Sequence, residues 1–378
     1  MVKDIHGGNI WQAAKEASKP LEKIIDFSAS INPLGPPASA IKAIEEGLRL
    51  IPPYPDPSAS AIREALAAHH GISTENILPA NGSTELIYLI PRLIPRLMKP
   101  GRALIIEPAF SEYKKALALA GWKTEGFVLD KDDGFRLDLE KLGRRLSKGF
   151  GLVFMANPAN PTGVLYSEKE TLSFLKLART SGALAVLDEA FIDFSGGSVL
   201  KKAIRAGNAI VLRSMTKFYA LAGLRLGYAA AERKILSRLE GLKPPWSVNT
   251  LSSLAGAACF ADARYRERTA EWLSAERDAL SKGIASINGL EPFPTSANYL
   301  TVRISKPRLN ARALASRLFK EGLLIRDLSA FRGLGPEFFR VAVLGRDANR
   351  LLMDSLGKAV SEAGARKNGA RKRGERTA

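Results

Sequence analysis

Cysteine occurs once in the 378 residues, at Cys259. An intramolecular disulfide is therefore impossible, and a cysteine-rich zinc site is excluded. Histidine occurs three times, as His6, His69 and His70. His69 and His70 fall on a predicted helix, Ser58–His70, without partners at metal-ligand spacing, so no metal is expected. No run of about 18 apolar residues is present, and no membrane span is expected. Met1–Trp11 lacks the apolar centre of a secretion signal. With a single thiol, this makes a reducing cytoplasm the expected compartment. No internal repeat appears. Acid is the scarcer charge, with 38 Asp and Glu against 56 Lys and Arg, a formal +18.

Part of that excess is local. Residues 366–378 carry Arg366, Lys367, Arg371, Lys372, Arg373 and Arg376 against Glu375 alone, and nothing apolar larger than alanine. Such a segment cannot bury enough surface to order itself, so 363–378 is expected to be a disordered basic tail. The remaining basic excess comes with no pattern of a nucleic-acid reader. It is read as solvated surface suited to anionic small molecules, with no specific nucleic-acid partner and no membrane. The body has the balance of a globular protein, 46% apolar and 25% charged. Its length suggests about two domains.

Four short apolar runs punctuate the middle of the chain: Ala103–Ile106, Leu152–Met155, Leu184–Leu187 and Ala209–Leu212. Runs apolar throughout are the mark of strands buried on both faces, as in a largely parallel sheet covered by helices. The segments between them are long enough for crossover helices. One such helix is predicted over Glu168–Thr180, with Leu172, Leu175 and Leu177 inward. Further on, residues 262–288 read as one long helix with Leu273, Leu280, Ile284 and Ile287 on one face. Asn298–Arg303 and Phe339–Val343 are strand-like, and Leu314–Gly322 is a helix ended by Gly322. A Pro pair cannot continue a helix, so Pro244-Pro245 is the expected joint. The resulting expectation is an α/β protein. It has an N-terminal arm (1–39) packing with the small domain, a large domain (40–245) with a mostly parallel central sheet, and a small α+β domain (246–362).

The chemistry-bearing residues follow the strands. Asp188 directly follows Leu184–Leu187. Lys217 lies shortly after Ala209–Leu212. Asn160-Pro161-Thr162-Gly163 follows Leu152–Met155, and Asn81-Gly82-Ser83-Thr84-Glu85 opens a helix. Ligands of open α/β sheets bind beyond the carboxyl ends of the strands, so these groups are expected to face one crevice. Pyridoxal 5'-phosphate would need an amine to condense with its aldehyde and a carboxylate against its pyridine nitrogen. It would also need donors and cations for its phosphate. The N–H groups of Gly82, Ser83 and Thr84 at a helix start supply the donors. Ser214 and Arg225, at −3 and +8 from Lys217, add a hydroxyl and a guanidinium fork.

Asp188-Glu189-Ala190-Phe191, Ser214-Met215-Thr216-Lys217 and Gly223-Leu224-Arg225-Leu226-Gly227, with Lys217 29 positions after Asp188, resemble the motifs of the fold type I aminotransferase family. The resemblance implies pyridoxal 5'-phosphate, with Lys217 binding it and acting as acid and base, Asp188 on the ring nitrogen and Asn160 on the 3'-oxygen. Phe110, in Glu107-Pro108-Ala109-Phe110, would stack on the ring, and Arg340 would take the substrate α-carboxylate. Tyr54, in Tyr54-Pro55-Asp56, would reach the cofactor phosphate of a neighbouring subunit, which implies a homodimer.

Within the family, the sequence is similar to members acting on phosphorylated amino compounds. His6-Gly7-Gly8-Asn9, the stretch Asp26–Pro36, Asp188–Phe194, Thr216–Ala220 and Pro245-Trp246-Ser247-Val248-Asn249 resemble the branch that decarboxylates L-threonine O-3-phosphate in cobalamin biosynthesis. The alternative is transamination of histidinol phosphate. The bond of Cα held perpendicular to the cofactor ring is the one that breaks, so anchors at both ends of the substrate decide between the two. Arg340 is one anchor. His6, Asn32, Asn157 and Arg326 are the candidates for the substrate phosphate, Arg326 foremost because a guanidinium grips phosphate in a bidentate way. Gly7-Gly8 points to a close backbone approach. Two departures stand out. Phe191 occupies a place where many members carry Tyr, so it cannot donate to the 3'-oxygen. Ala156-Asn157-Pro158-Ala159 also departs from the usual run before Asn160.

Overall fold

The strands of the larger unit take their course from those apolar runs. The computed structural model describes residues 7–93 and 101–374, with side chains through 362. Contacts divide the chain into two compact units. The larger comprises Ile31–Asn160 and Val164–Ala270. Its seven strands are β1 (Ile77–Asn81), β2 (Arg102–Glu107), β3 (Lys123–Val128), β4 (Leu152–Ala156), β5 (Leu184–Asp188), β6 (Ala209–Ser214) and β7 (Leu226–Ala231). They lie in the order β1-β7-β6-β5-β4-β2-β3. Strands β2 to β6 run parallel, and β7 runs antiparallel to both neighbours, β1 and β6. The α/β expectation with a mostly parallel sheet is met.

Every residue of β4, β6 and β7 is buried, as two-sided cover requires. On one face Leu86 and Ile90 of the helix Gly82–Leu93 and Tyr113 of the helix Ser111–Leu119 pack on Ile105, Phe154, Val186 and Leu212. The helix Glu168–Thr180 falls where it was predicted, closed at its start by a capping box between Ser167 and Glu170. Its inward stripe differs from expectation. Thr171, Phe174, Leu175 and Ala178 are buried, at spacing i, i+3, i+4, i+7, while Leu172 and Leu177 are only half-buried. Phe174, the largest side chain available, sets the rotation of the helix.

The smaller unit comprises the chain up to Ser30, Pro161–Gly163 and the chain from Glu271. Its antiparallel sheet contains β8 (Leu290–Pro292), β9 (Tyr299–Ile304), β10 (Arg326–Asp327) and β11 (Phe338–Ala342), in the order β10-β11-β9-β8. Ile25–Asp26 pairs in parallel with Leu323–Leu324. Gly322 ends the helix Ala311–Glu321 at φ +89, where a Cβ would lie 2.6 Å from the Lys23 carbonyl oxygen. The boundary between the units falls inside the long helix Ala263–Ala285, between Ala270 and Glu271. Pro244-Pro245 instead forms a turn between the helices Arg233–Glu240 and Thr250–Ala258, within the larger unit. A Pro pair stops a helix, but it does not decide where packing changes partners. Leu273, Leu280 and Ile284 are buried as expected, and Ile287 lies past the helix end, half-buried. The last helix is Arg346–Gly374; the expected tail, 363–378, falls outside the residues whose side chains are described. Among the described residues, no helix is long and apolar enough to cross a membrane.

Candidate active site

Asp188 is the last residue of β5 and is 6% exposed. Burial raises its pKa above the ordinary carboxylate value. Three groups work against that rise: the Tyr113 hydroxyl donates to Oδ2 at 2.5 Å, the Ala190 N–H donates to Oδ1 at 3.0 Å, and Lys217 contributes its charge. Lys217 is half-buried in a one-turn helix, Met215–Phe218, directly after β6, the strand beside β5. The sequence-predicted pair of amine and carboxylate is thus brought to the carboxyl ends of adjacent parallel strands.

The helix Gly82–Leu93 begins immediately after β1. Its first N–H groups have no partners within the helix and carry the positive end of its dipole. Gly82 stands at φ +74, and a Cβ there would lie 2.8 Å from an Arg225 guanidinium nitrogen. On β7, opposite Ser214, a Cβ on Gly227 would overlap the Ser83 backbone nitrogen. Ser214 and Thr216 share a hydroxyl hydrogen bond of 2.7 Å. Gly82, Ser83, Ser214 and Arg225 therefore converge, with Thr84 next along the helix, and two glycines are what let the amides, the hydroxyl and the guanidinium approach. Phe110 is half-buried at the start of the next helix, edge-on to Tyr113 at 5.8 Å. Asn160 is half-buried at the end of its segment of the larger unit. Phe191 is 5% exposed and brings no hydroxyl to this region.

Two predicted substrate ligands are instead built into the framework. The Asn32 amide donates to the Phe218 carbonyl at 2.9 Å, to Tyr265 Oη at 2.9 Å and to Thr269 Oγ1 at 3.0 Å, while its backbone N–H caps the Lys217 carbonyl at 3.0 Å. Its Oδ1 accepts from the Leu34 N–H. Asn157 is 1% exposed; its amide donates to the Tyr166 carbonyl and to Thr171 Oγ1, and its Oδ1 accepts from the Tyr166 N–H. Each of these amides is committed to protein partners, so neither has hydrogen-bonding capacity left for a phosphate. Tyr54 is 80% exposed and stacks on Trp246 with ring centroids 4.9 Å apart.

In the smaller unit Arg340 is 8% exposed, lies over the Tyr299 ring at 4.7 Å and donates to the Ser28 carbonyl at 3.1 Å. Burial lowers its pKa from the ordinary arginine value. Arg326 of β10 is its direct cross-strand partner. Like charges placed opposite one another repel, so this pair is an arrangement suited to an anion. Asp26 accepts from the N–H and hydroxyl of Ser28 and from the Ala29 N–H, which shapes the loop beneath Arg340. The close approach expected at Gly7-Gly8 is made to this loop: a Cβ on Gly7 would overlap the Ser28 carbonyl oxygen, and the Gly8 N–H donates to Ser28 Oγ. His6 lies outside the described residues. Tyr113 was not singled out from sequence. Its place three residues after Phe110, at the start of a helix, is the signal that puts the two rings together.

A lysine and a buried carboxylate on neighbouring strand ends, beside a helix start that gathers N–H groups and a guanidinium, define an α/β enzyme of the fold type I class. The chain belongs to the aminotransferase class I and II family, whose profile matches residues 22–356. It is 34% identical over 354 residues to the threonine-phosphate decarboxylase of Salmonella typhimurium, covering 93% of this chain and 95% of that one. It is 31% identical over 356 residues to the adenosylcobalamin biosynthesis bifunctional protein CobDQ of Leptospira interrogans, covering 93% of this chain and 40% of that protein. Among solved structures it resembles the histidinol-phosphate aminotransferase of Clostridium acetobutylicum at 26% identity and a TM-score of 0.82, covering 89% and 99% of the two chains.

Proposed function

We propose that this protein is a pyridoxal 5'-phosphate-dependent decarboxylase. It converts L-threonine O-3-phosphate to carbon dioxide and (R)-1-amino-2-propanol O-2-phosphate, in cobalamin biosynthesis. The observation that carries the reading is the Asp188–Lys217 pair on adjacent strand ends, with the carboxylate buried and held by Tyr113. The residues fit the cofactor. Gly82 and Gly227 leave a cradle that a Cβ would fill, beside Ser214 and Arg225. The similarity to the Salmonella decarboxylase supports the substrate.

When bound, the cofactor supplies an aldehyde for the substrate amine and a ring that accepts an electron pair released at Cα. Asp188 holds a proton at the ring nitrogen. The N–H groups of Gly82, Ser83 and Thr84, with Ser214 and Arg225, bind the cofactor phosphate, and Phe110 covers a ring face. Asn160 donates to the 3'-oxygen, without help from Phe191. Arg340 binds the α-carboxylate and Arg326 the substrate phosphate. These two charges orient the substrate so that the Cα–carboxylate bond breaks, leaving its pair at Cα. The Lys217 amine delivers the proton that Cα then takes up. The exposed apolar side chains Leu48, Ile51, Tyr54 and Trp246 of the larger unit support a homodimer in which Tyr54 serves the neighbouring site.

The test is incubation with threonine phosphate and pyridoxal phosphate in the absence of any keto acid. Catalytic release of carbon dioxide with one equivalent of the amino alcohol phosphate is expected. Turnover only of histidinol phosphate, with a strict need for 2-oxoglutarate, would replace this reading by aminotransfer. Borohydride reduction should fix the cofactor on Lys217; a label elsewhere would refute the site.

A further inference from the structure

Tyr113 has a single polar atom, and in the 1%-exposed environment of its side chain that atom meets a functional group. Its hydroxyl donates to Asp188 Oδ2 at 2.5 Å. The ring is held from two sides, stacked on Phe154 of β4 at 5.1 Å and edge-on to Phe110 at 5.8 Å. The phenol thus links the carboxylate proposed for the ring nitrogen to the ring proposed for the cofactor face. With both partners buried, water cannot stand in for the donor, and a charge-assisted bond of this kind is stronger than a neutral one. The other oxygen, Oδ1, is held by the Ala190 N–H at 3.0 Å. The titratable groups acting on Asp188 are Tyr113 and Lys217.

We propose that Tyr113 is a positioning residue: its hydroxyl fixes Asp188 for the cofactor's ring nitrogen. The inference rests on the cofactor reading above.

The test compares the wild-type chain with Tyr113→Phe and Phe154→Leu. Tyr113→Phe keeps the ring and its packing and removes only the hydroxyl. Phe154→Leu disturbs the packing and leaves the hydroxyl. Pyridoxal phosphate uptake is followed by absorbance across pH, and unfolding of the cofactor-free proteins is measured alongside. Tyr113→Phe should weaken uptake at least about tenfold, the scale of a lost hydrogen bond to a charged group. It should also raise the pH below which uptake fails, because Asp188 then holds its proton more tightly. Phe154→Leu, which loosens the ring but keeps the hydroxyl, should weaken uptake clearly less than Tyr113→Phe while melting earlier. Wild-type uptake and pH limit in Tyr113→Phe, equal loss in Phe154→Leu, or a Tyr113→Phe chain that does not fold would each overturn the proposal and make the contact structural. A wild-type chain that takes up no pyridoxal phosphate would instead end the cofactor reading itself.

Discussion

Gly227→Ala tests whether the helix start against β7 is what binds the cofactor phosphate. The added Cβ would overlap the Ser83 backbone nitrogen and lie 2.8 Å from the Gly82 carbonyl carbon and 2.9 Å from the Arg213 carbonyl oxygen. All three are backbone atoms, so no side chain can turn aside. Reaching an ordinary separation of about 3.5 Å from the Ser83 nitrogen requires the helix start to back away by roughly 1.2 Å. Overpacking of this kind costs about 1–3 kcal/mol. In a domain of this size, each kcal/mol lowers the melting temperature by roughly 2–4 °C. The functional loss should be disproportionate, because the displaced atoms are the amides assigned to the phosphate. Pyridoxal phosphate titrated against absorbance should bind at least about tenfold more weakly, or about 1.4 kcal/mol. Gly223→Ala is the control, since a Cβ there meets nothing within 4 Å. Unchanged uptake in Gly227→Ala, or equal loss in Gly223→Ala, would refute the placement of the phosphate at this helix.

Two other predictions use the framework around the site. Asn32→Ala should cost about 1–3 kcal/mol through the unpaired acceptors it leaves and reduce cofactor occupancy. The KM for threonine phosphate on the loaded fraction should stay the same, whereas a raised KM with unchanged kcat would return Asn32 to the substrate. His70 accepts from or donates to the Tyr228 hydroxyl at 2.7 Å. Burial, then the charges of Arg213, His69 and Arg266, push its pKa from 6.5 down to about 3, against the opposing pull of the Asp193 carboxylate. The unfolded chain binds this proton near pH 6.5 and the folded chain only near 3. The stability at stake is therefore complete above 6.5 and is lost as the pH falls through that window. Thermal melting of His70→Gln should decline less steeply than wild type between pH 6.5 and 4; parallel curves would show that His70 is not the source.

What was legible in the sequence was local. Ala103–Ile106, Leu152–Met155, Leu184–Leu187 and Ala209–Leu212 were recognisable because a strand covered on both faces must be apolar at every position, and each lies inside an observed strand. Asp188 and Lys217 were legible because a parallel sheet delivers the residues after its strands to one edge, whatever the helices do. Gly82 and Arg225 followed from the chemistry of a phosphate. Tertiary structure decided the rest. Asn32 and Asn157 look like ligands in sequence, since an amide can serve any partner. Only folding brings Phe218, Tyr265 and Thr269 around Asn32, and Tyr166 and Thr171 around Asn157. Tyr113 shows the converse, an aromatic in a helix that reads as core until packing aims its hydroxyl at a carboxylate 75 residues away. The division of the chain inside the helix Ala263–Ala285 was equally hidden, because a helix carries no local mark of where its packing partners change. The type of backbone element follows largely from neighbours along the chain. The partner of a polar side chain is set by distances that exist only after the chain has folded.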